Sequence, residues 1–434
     1  MSSVRNGKEM FVVQGFGGKR KLSGRLAVSG AKNAALKAMA ATLLFSDTVK
    51  LNNVPDIEDV KRMAELLSDL GGDVKKVGAH SYTINTKGIS KTDLDHTLSK
   101  RMRSSIILTG PILARFGKVS FPHPGGCVLG SRPIDLFLSG FKEMGGRSVL
   151  RKGRYRVSAR GKKLKGIEFF FRKVSVTGTE TLMMSAVLAE GKTTLKNAAL
   201  EPEIEHLAEF LNSCGAKIKG AGTSTIEITG GGMLRARKKV YTTLPDRIEA
   251  GSFLILGAIA ARRLEITKCK PEHLEILTTL LKESGVPISI KKGSIVVRTP
   301  RVRPSAFDVR THEYPGFSTD LQAPMVVYLT QAKGECSVFE TIFEGRLNYT
   351  EDLVHMGAHI TMANPHNIAV KGPSKLEGRT LEGPDLRAGL AFVIAGIVAE
   401  GQSIIDNVYH IDRGYERIEE RLRSIGVNIK RVSR

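Results

Sequence analysis

Apolar residues return every three or four positions in several stretches of this chain. Asp59–Leu70 places Val60, Met63, Leu66, Leu67 and Leu70 on one face, the stripe of an amphipathic helix. Ile204–Leu211 and Tyr415–Leu422 repeat that stripe. A second kind of segment is small or apolar on most faces: Ala34–Leu44, Thr181–Ala189, Gly251–Ala261 and Ala388–Ala399. Such helices must be covered on every side, so burial is predicted. Short β-branched runs follow them, at Thr193–Asn197 and Ser403–Asn407, and read as strands.

The order of segments recurs. A small-residue helix is followed by a β-rich run, an amphipathic helix and a glycine stop. The stop glycines are Gly71, Gly145, Gly215, Gly285, Gly357 and Gly426, spaced 74, 70, 70, 72 and 69 residues apart. Glycine is expected just past a helix end because it enters the left-handed region at little steric cost. Self-similarity at a fixed period is the mark of a repeated supersecondary unit. A linear solenoid is one arrangement of six units. A fully apolar helix in every repeat favours closed, pseudo-threefold bundles instead. Two groups of three, about 210 residues each, match ordinary domain size.

Composition narrows the function. The 434 residues allow two to three domains, and 41% hydrophobic with 25% charged residues is ordinary for a globular protein. The first residues lack an apolar signal core, and the apolar run Ala388–Ala399 is too short to span a bilayer, so a cytoplasmic protein without integral membrane association is expected. The cysteines Cys127, Cys214, Cys269 and Cys336 are far apart and form no CxxC pair, which argues against zinc and a disulfide framework. Cys214 and Cys336 sit among apolar residues and should be buried. His355 and His359 are four apart, but Gly357 separates them, so no metal is expected.

The net charge is +23, from 66 basic and 43 acidic residues. Such a balance points to anionic partners. The basic clusters Arg151–Lys165, Arg235–Lys239 and Lys291–Arg303 contain only one aromatic residue, Tyr155, and the chain has no tryptophan. Stacking platforms for nucleic acid are therefore not evident, and no nucleic-acid-binding motif accompanies the charge. Many of these lysines read equally well as a solvated face.

One loop concentrates chemistry. Pro124-Gly-Gly-Cys127-Val-Leu-Gly-Ser-Arg132-Pro133 sets a thiol among three glycines, five residues before an arginine. Glycines leave the thiol little cover, and a guanidinium favours thiolate and anions. The plainer reading is a glycine-rich turn with an incidental cysteine. Arg103, Arg132, Arg346, Arg387 and Arg413 recur at places where an ordered anion site could form, and Lys32-Asn33 begin the first small-residue helix; helix starts carry free N–H groups that attract anions. Asp320 stands just before an apolar helix. It reads as a residue favoured by the helix dipole or as a general base for a hydroxyl, and Asp385 shares that ambiguity.

With these residues in view, the chain resembles the enolpyruvyl transferase family. The resemblance runs from about Gly24 to Val432. It rests on Ser29-Gly-Ala-Lys-Asn-Ala-Ala-Leu36, Arg115-Phe-Gly117, Pro124-Gly-Gly-Cys127 and Arg132-Pro-Ile-Asp-Leu136. Pro245-Asp-Arg-Ile-Glu249, Thr319-Asp-Leu-Gln-Ala323, Asp385-Leu-Arg387 and His410-Ile-Asp-Arg-Gly-Tyr-Glu-Arg417 extend it. The cysteine loop and the Lys-Asn start favour the UDP-N-acetylglucosamine branch over the shikimate-phosphate branch.

The resemblance implies an α/β fold of two inside-out α/β-barrel domains, each of three βαβαββ repeats, with the active site in the cleft between them. The domains are expected at residues 32–244 and at 1–31 with 245–434. It further implies transfer of the enolpyruvyl group of phosphoenolpyruvate to the 3′-hydroxyl of UDP-N-acetylglucosamine, with phosphate released through a tetrahedral intermediate and without cofactor or metal. Lys32, Arg132 and Arg413 would hold phosphoenolpyruvate, with Arg103, Arg346 and Arg387 completing a cationic cleft. Asp320 would serve the acceptor hydroxyl as base or positioner, and Cys127 would protonate the methylene carbon. Asn33, Asp135, Lys173, Ser175, Val176 and Ile342 would contact the nucleotide sugar, with Pro133, Ile134, Leu136 and Asp385 as further substrate-binding residues. Closure over the UDP-sugar with the Cys127 loop as a lid is expected. Thr177-Gly178, Gly345 and Ile107 depart from the family's usual residues. A basic binding protein that has lost catalysis is the reading from another class, favoured by the charge alone.

Overall fold

The computed structural model describes residues 9–123, 125 and 134–433. Two compact units are present. The first runs from Gly30 to Leu244; the second combines residues up to Ser29 with those from Pro245 onward.

Each unit holds three small sheets among the described residues, five of the six mixed. In the first unit, Val49–Asn52 pairs parallel with Val240–Thr242 and antiparallel with Ser81–Asn85, and Asp73–Gly78 lies beyond. Lys192–Lys196 pairs parallel with Glu168–Phe170 and antiparallel with Thr225–Thr229, with Lys217–Lys219 at the edge. The third sheet has three antiparallel strands, Lys118–Pro122, Arg154–Ala159 and Gly146–Arg151. There a single parallel bridge, Asp93 to Ser120, stands where the other sheets have a parallel strand.

The second unit repeats the plan. Ala261–Thr267 lies between parallel Leu22–Ala27 and antiparallel Ser294–Arg298, followed by Ile288–Lys291. Gly334–Phe339 lies between parallel Val309–Arg310 and antiparallel Asn367–Gly372, followed by His359–Asn364. Gln402–Asp406 lies between parallel Thr380–Glu382 and antiparallel Glu9–Gln14, with Asn428–Ser433 beyond. The amino-terminal strand thus completes the last sheet of the chain, in register Glu9 to Ser433 and Gln14 to Asn428.

The small-residue segments are helices and are buried almost throughout. In the first unit they are Lys32–Ala41, Thr109–Phe116 and Val176–Val187; in the second, Arg247–Ala260, Gln322–Leu329 and Leu386–Val398. The three helices of the second unit touch one another. Small residues permit such contact. A Cβ on Gly110 would lie 2.6 Å from the Thr181 carbonyl oxygen of the neighbouring helix, a backbone atom that cannot step aside.

The amphipathic helices form at Glu58–Asp69 and Pro202–Ser213. All six stop glycines adopt positive φ, from 89° at Gly145 to 108° at Gly215. Five are followed by an N–H bonded back into the last turn, as Ala216 N–H to Leu211 O at 3.0 Å, the pattern that satisfies terminal carbonyls. The predicted Tyr415–Leu422 helix is shorter than expected. It spans Ile418–Arg423 because Arg417 sits at φ 39° and breaks the run, leaving Tyr415 in the preceding turn.

Two of the resembling motifs have architectural work. Arg115 ties the first unit together, donating to Leu43 O, Thr86 Oγ1 and Thr86 O at 3.1, 2.8 and 3.1 Å. Asp246 caps the Arg247–Ala260 helix through the N–H groups of Ile248 and Glu249, and Glu249 pairs with Arg421.

Cys214, Cys269 and Cys336 are buried. Burial pushes the Cys269 and Cys336 thiols up to about 11. Among the described residues no helix is long and apolar enough to cross a membrane, and no cluster of His, Cys, Asp and Glu has the arrangement of a metal site.

Candidate active site

The densest polar cluster among the expected residues lies in the second unit, at the amino-terminal ends of its buried helices. Asp320 occupies a short turn, Thr319–Leu321, that runs into the Gln322–Leu329 helix. Arg387 is in the first turn of the Leu386–Val398 helix, whose cap is Asp385 accepting from the N–H groups of Arg387 and Ala388 at 2.7 and 3.2 Å. Arg346 follows the turn after the Gly334–Phe339 strand.

Both arginines grip Asp320. Arg346 Nη2 donates to Oδ1 at 2.8 Å. Arg387 donates to Oδ2 through Nε at 3.1 Å and through Nη2 at 2.8 Å. The arginine side chains are only 3% and 6% exposed, whereas Asp320 is 26% exposed. The cations are therefore buried supports, and the carboxylate is the group that faces outward.

Burial alone would pull the Arg387 guanidinium down. Asp320, then Tyr415 and Asp246, more than offset it and hold the group above its ordinary value. Arg346 is raised in the same way, burial opposed by Asp320, Asp385 and Glu340. The influence of Asp246 on Arg387 brings the third helix start, that of Arg247–Ala260, into the same neighbourhood. Three helix amino termini then add positive potential around one carboxylate and two guanidiniums, a setting that favours anions.

Residues that the sequence reading did not assign complete this cluster. Tyr415 accepts from Arg387 Nη1 through its hydroxyl at 2.8 Å. Glu340 has no exposed surface. Its Oε2 accepts from the Thr319 hydroxyl at 2.8 Å, and that same oxygen of Thr319 accepts from Arg346 Nη1 at 2.9 Å. Its Oε1 accepts from the N–H groups of Ile342 and Phe343 at 2.9 and 3.1 Å. One buried carboxylate thus fixes the Ile342 backbone and the arginine on Asp320. The signal for Tyr415 was its motif, Arg413-Gly-Tyr415. A lone glutamate ending a strand offered none.

Arg413 sits two residues before Tyr415. It acts on His410, whose imidazole is lowered first by burial and then by Arg413, against the pull of Asp385. Asp320, Ile342, Arg346, Asp385, Arg387 and Arg413 accordingly belong to one region of the second unit.

The other expected residues belong to the first unit, again at helix starts. Lys32 and Asn33 open Lys32–Ala41, and Lys32 Nζ lies 3.5 Å from the buried carboxylate of Asp59. Arg103 opens a 3-10 turn, Arg103–Leu108, leading into the Thr109–Phe116 helix. Ser175 caps Val176–Val187 by accepting from the Gly178 N–H at 3.0 Å, so its hydroxyl already has a structural task. Lys173 is exposed nearby, Ile134 is buried, and Asp135 and Leu136 open the Asp135–Glu143 helix. Cys127, Arg132 and Pro133 lie outside the described residues.

Comparison with known proteins adds to this geometry. The family model described as EPSP synthase (3-phosphoshikimate 1-carboxyvinyltransferase) matches residues 17–422. A protein of Acidobacterium capsulatum named UDP-N-acetylglucosamine 1-carboxyvinyltransferase is 44% identical over 430 residues, covering 98% of this chain and 96% of the relative. One of the same name from Magnetococcus marinus is 44% identical over 417 residues, covering 96% and 98%. Among solved structures, the enolpyruvyl transferase NikO from Streptomyces tendae has a TM-score of 0.87 at 22% identity, covering 99% of this chain and all of NikO. EPSP synthase from Acinetobacter baumannii has a TM-score of 0.72 at 18% identity, covering 98% of this chain and all of that one. At such identities these structures speak to the mixed α/β fold.

Proposed function

This chain belongs to the EPSP synthase (3-phosphoshikimate 1-carboxyvinyltransferase) family, and from that premise we propose that it transfers the enolpyruvyl group of phosphoenolpyruvate to the 3′-hydroxyl of UDP-N-acetylglucosamine. The observation that carries the choice of acceptor is the 44% identity, over 98% of the chain, to a relative named for that reaction. Such a step belongs to the cytoplasmic assembly of cell-wall precursors.

The reaction is an addition followed by an elimination. The acceptor oxygen bonds to the central carbon of phosphoenolpyruvate while the methylene carbon takes a proton. The tetrahedral adduct then loses phosphate and a methyl proton, and the vinyl group re-forms. Asp320 suits the acceptor end: it is partly exposed, it is fixed on two buried guanidiniums, and an ionised carboxylate only accepts hydrogen bonds, as a hydroxyl donor requires. It receives the hydroxyl hydrogen and aims the oxygen. Rigid fixation of this kind reduces the entropy lost on reaching the reactive geometry.

Phosphoenolpyruvate brings a phosphate and a carboxylate. Lys32, Arg132 and Arg413 are assigned to it, with Arg103 and the Arg346–Arg387 pair supplying the surrounding positive field. Arginine matches planar and tetrahedral oxyanions bidentately, and the helix starts at Lys32 and Arg387 reinforce it. Cys127 is assigned the proton to the methylene carbon. Asn33, Asp135, Lys173, Ser175, Val176 and Ile342 are assigned to the nucleotide sugar, and Pro133, Ile134, Leu136 and Asp385 to substrate binding. Because these residues are divided between two units, turnover requires both sets to act on one pair of substrates. The finer architecture that goes with this reading is three repeats per unit, packed with helices inward and sheets outward; the burial of the six small-residue helices supports it.

The test is phosphate release from phosphoenolpyruvate with UDP-N-acetylglucosamine, run beside shikimate 3-phosphate. Release with the UDP-sugar alone is expected. Release with shikimate 3-phosphate alone would transfer the chain to the branch for which the family model is named, and release with neither would overturn the enzymatic reading.

A further inference from the structure

At the other end of the second unit's buried helices lies a cavity of about 250 Å³, lined by Gly18, Lys19, Arg20, Ile259, Ala260, Pro300, Arg301, Val302, Arg303, Pro304, Gln331 and Val398. It touches the carboxyl-terminal ends of Arg247–Ala260, Gln322–Leu329 and Leu386–Val398. Arg387 and Val398 mark the two ends of the last helix, and eleven residues of helical rise separate them by about 16 Å. This cavity is therefore distinct from the Asp320 cluster.

Its charge is one-sided. Lys19, Arg20, Arg301 and Arg303 line it, and no carboxylate does. Some cation is expected where helices end, because each carboxyl terminus carries about half a negative charge. Three such ends sum to roughly −1.5, against four full positive charges, so a surplus of about +2.5 remains. The hydrogen bonds agree with that count. Arg20 Nη1 donates to Ala258 O at 2.7 Å and Arg303 Nη1 to Gln331 O at 3.3 Å. A guanidinium has five N–H donors, so these single bonds leave most of each fork unused. Arg20 is also drawn down from its ordinary value, first by burial, against the opposing influence of Tyr328, and further by the like charge of Arg303. Cations crowded into a concavity without a counter-charge are a receptor for a multivalent anion.

We propose that this cavity binds a phosphate monoester or diphosphate group. The volume suits a group of that size, and Arg-rich concave sites match tetrahedral oxyanions. Two sources offer the same chemistry: a free phosphorylated metabolite, or an anionic phospholipid headgroup. Val302, between Arg301 and Arg303, is 74% exposed, which makes the second source chemically sensible as well.

The experiment compares wild type with Arg301→Glu and with Arg301→Ala/Arg303→Ala. Arg301 is exposed, so the single variant should fold as wild type, and neither variant touches the Asp320 cluster. Pyrophosphate is titrated calorimetrically with UDP-N-acetylglucosamine present throughout. In parallel, sedimentation is measured with phosphatidylcholine vesicles with or without phosphatidic acid. A pyrophosphate site present in wild type and weakened at least tenfold in both variants supports the proposal with a free ligand. Sedimentation that needs phosphatidic acid and is lost in both variants supports it with a headgroup. Identical titrations and identical sedimentation in all three proteins overturn it, and the arginines are then only neutralising helix ends.

Discussion

Arg387 closes on Asp320 across 67 residues of sequence, with Nε at 3.1 Å and Nη2 at 2.8 Å from the same oxygen, Oδ2. Its remaining terminal nitrogen holds the Tyr415 hydroxyl. A fork used on both sides cannot be replaced by a point charge. Arg387→Lys should keep the positive charge and lose the aim. Hydrogen bonds to charged groups contribute about 1.5–3 kcal/mol each, so kcat/KM for phosphate release should fall roughly 10- to 100-fold per bond lost. Steady-state kinetics on both substrates checks this. Unchanged kinetics in Arg387→Lys would mean that the Asp320 geometry is irrelevant to turnover.

Asp320 itself separates binding from chemistry. Asp320→Asn keeps the size and one acceptor oxygen, but leaves two buried guanidiniums facing a neutral amide. The expected result is a loss mainly in kcat, by two orders of magnitude or so, with a smaller change in KM for the UDP-sugar, as for an interaction used in the transition state. A change confined to KM would reduce Asp320 to a contact for ground-state binding.

Much of this architecture is legible along the chain because local physics demands it. Six glycines at nearly even intervals end six helices with positive φ, and the small-residue segments are buried helices. Long-range placement is not legible in that way. Nothing local to Glu9–Gln14 says that it lies between Gln402–Asp406 and Asn428–Ser433. The Asp320, Arg346 and Arg387 positions stood out as candidates, yet their mutual grip depends on turns that no periodicity encodes. Glu340 was invisible, since a buried glutamate and an exposed one look alike in sequence. The Tyr415 stripe was misleading for a related reason. Its apolar spacing is real, but Tyr415 is buried against Arg387 from a turn and not from a helix face.

Glu340 should act as a positioning residue for the acceptor end. One of its oxygens fixes the Ile342 and Phe343 backbone, and the other fixes Thr319 and through it Arg346. Glu340→Gln retains one carbonyl oxygen for the backbone pair and loses the acceptor for Thr319. Glu340→Ala loses both. Stability should therefore drop less in the first variant than in the second, with about 1–3 kcal/mol for each buried donor left unpaired. KM for UDP-N-acetylglucosamine should rise in the same order while KM for phosphoenolpyruvate moves little. Equal effects of the two variants on both KM values would make the role purely structural.

Three of the four cysteines are buried, and two of their thiols are pushed up to about 11 by that burial. A thiolate-selective reagent at neutral pH should therefore find Cys127 first. The native protein is expected to release one fast equivalent of chromophore from a disulfide reagent, and Cys127→Ala none. If Cys127 also supplies the proton, Cys127→Ala should lose turnover by orders of magnitude, whereas Cys127→Asp retains part of it because a carboxylic acid can donate too. Normal turnover in Cys127→Ala would remove the acid assignment.

The first unit contains a buried charge whose protonation should be visible in stability. Glu180 has no exposed surface, and Lys37 Nζ lies 3.1 Å from its Oε2. Burial raises the carboxyl to about 7; Lys37 opposes this, and the nearby Glu203 and Glu201 add to it. Desolvation therefore outweighs the ion pair, as expected where a single lysine faces several acids in a dry interior. The folded state holds this proton more tightly than the unfolded chain, whose glutamate titrates near 4.5. The unfolded state then binds fewer protons between those values, so stability from this group is full below about 4.5 and is lost as pH rises toward about 7. Above that the slope vanishes. Thermal unfolding of wild type minus Glu180→Gln, measured from pH 5 to 8.5, should fall with pH up to about 7 and then level. Using the difference removes the contribution of titrating groups that do not interact with Glu180. A difference that is flat across the window would mean that Glu180 is ionised throughout and that Lys37 prevails over burial.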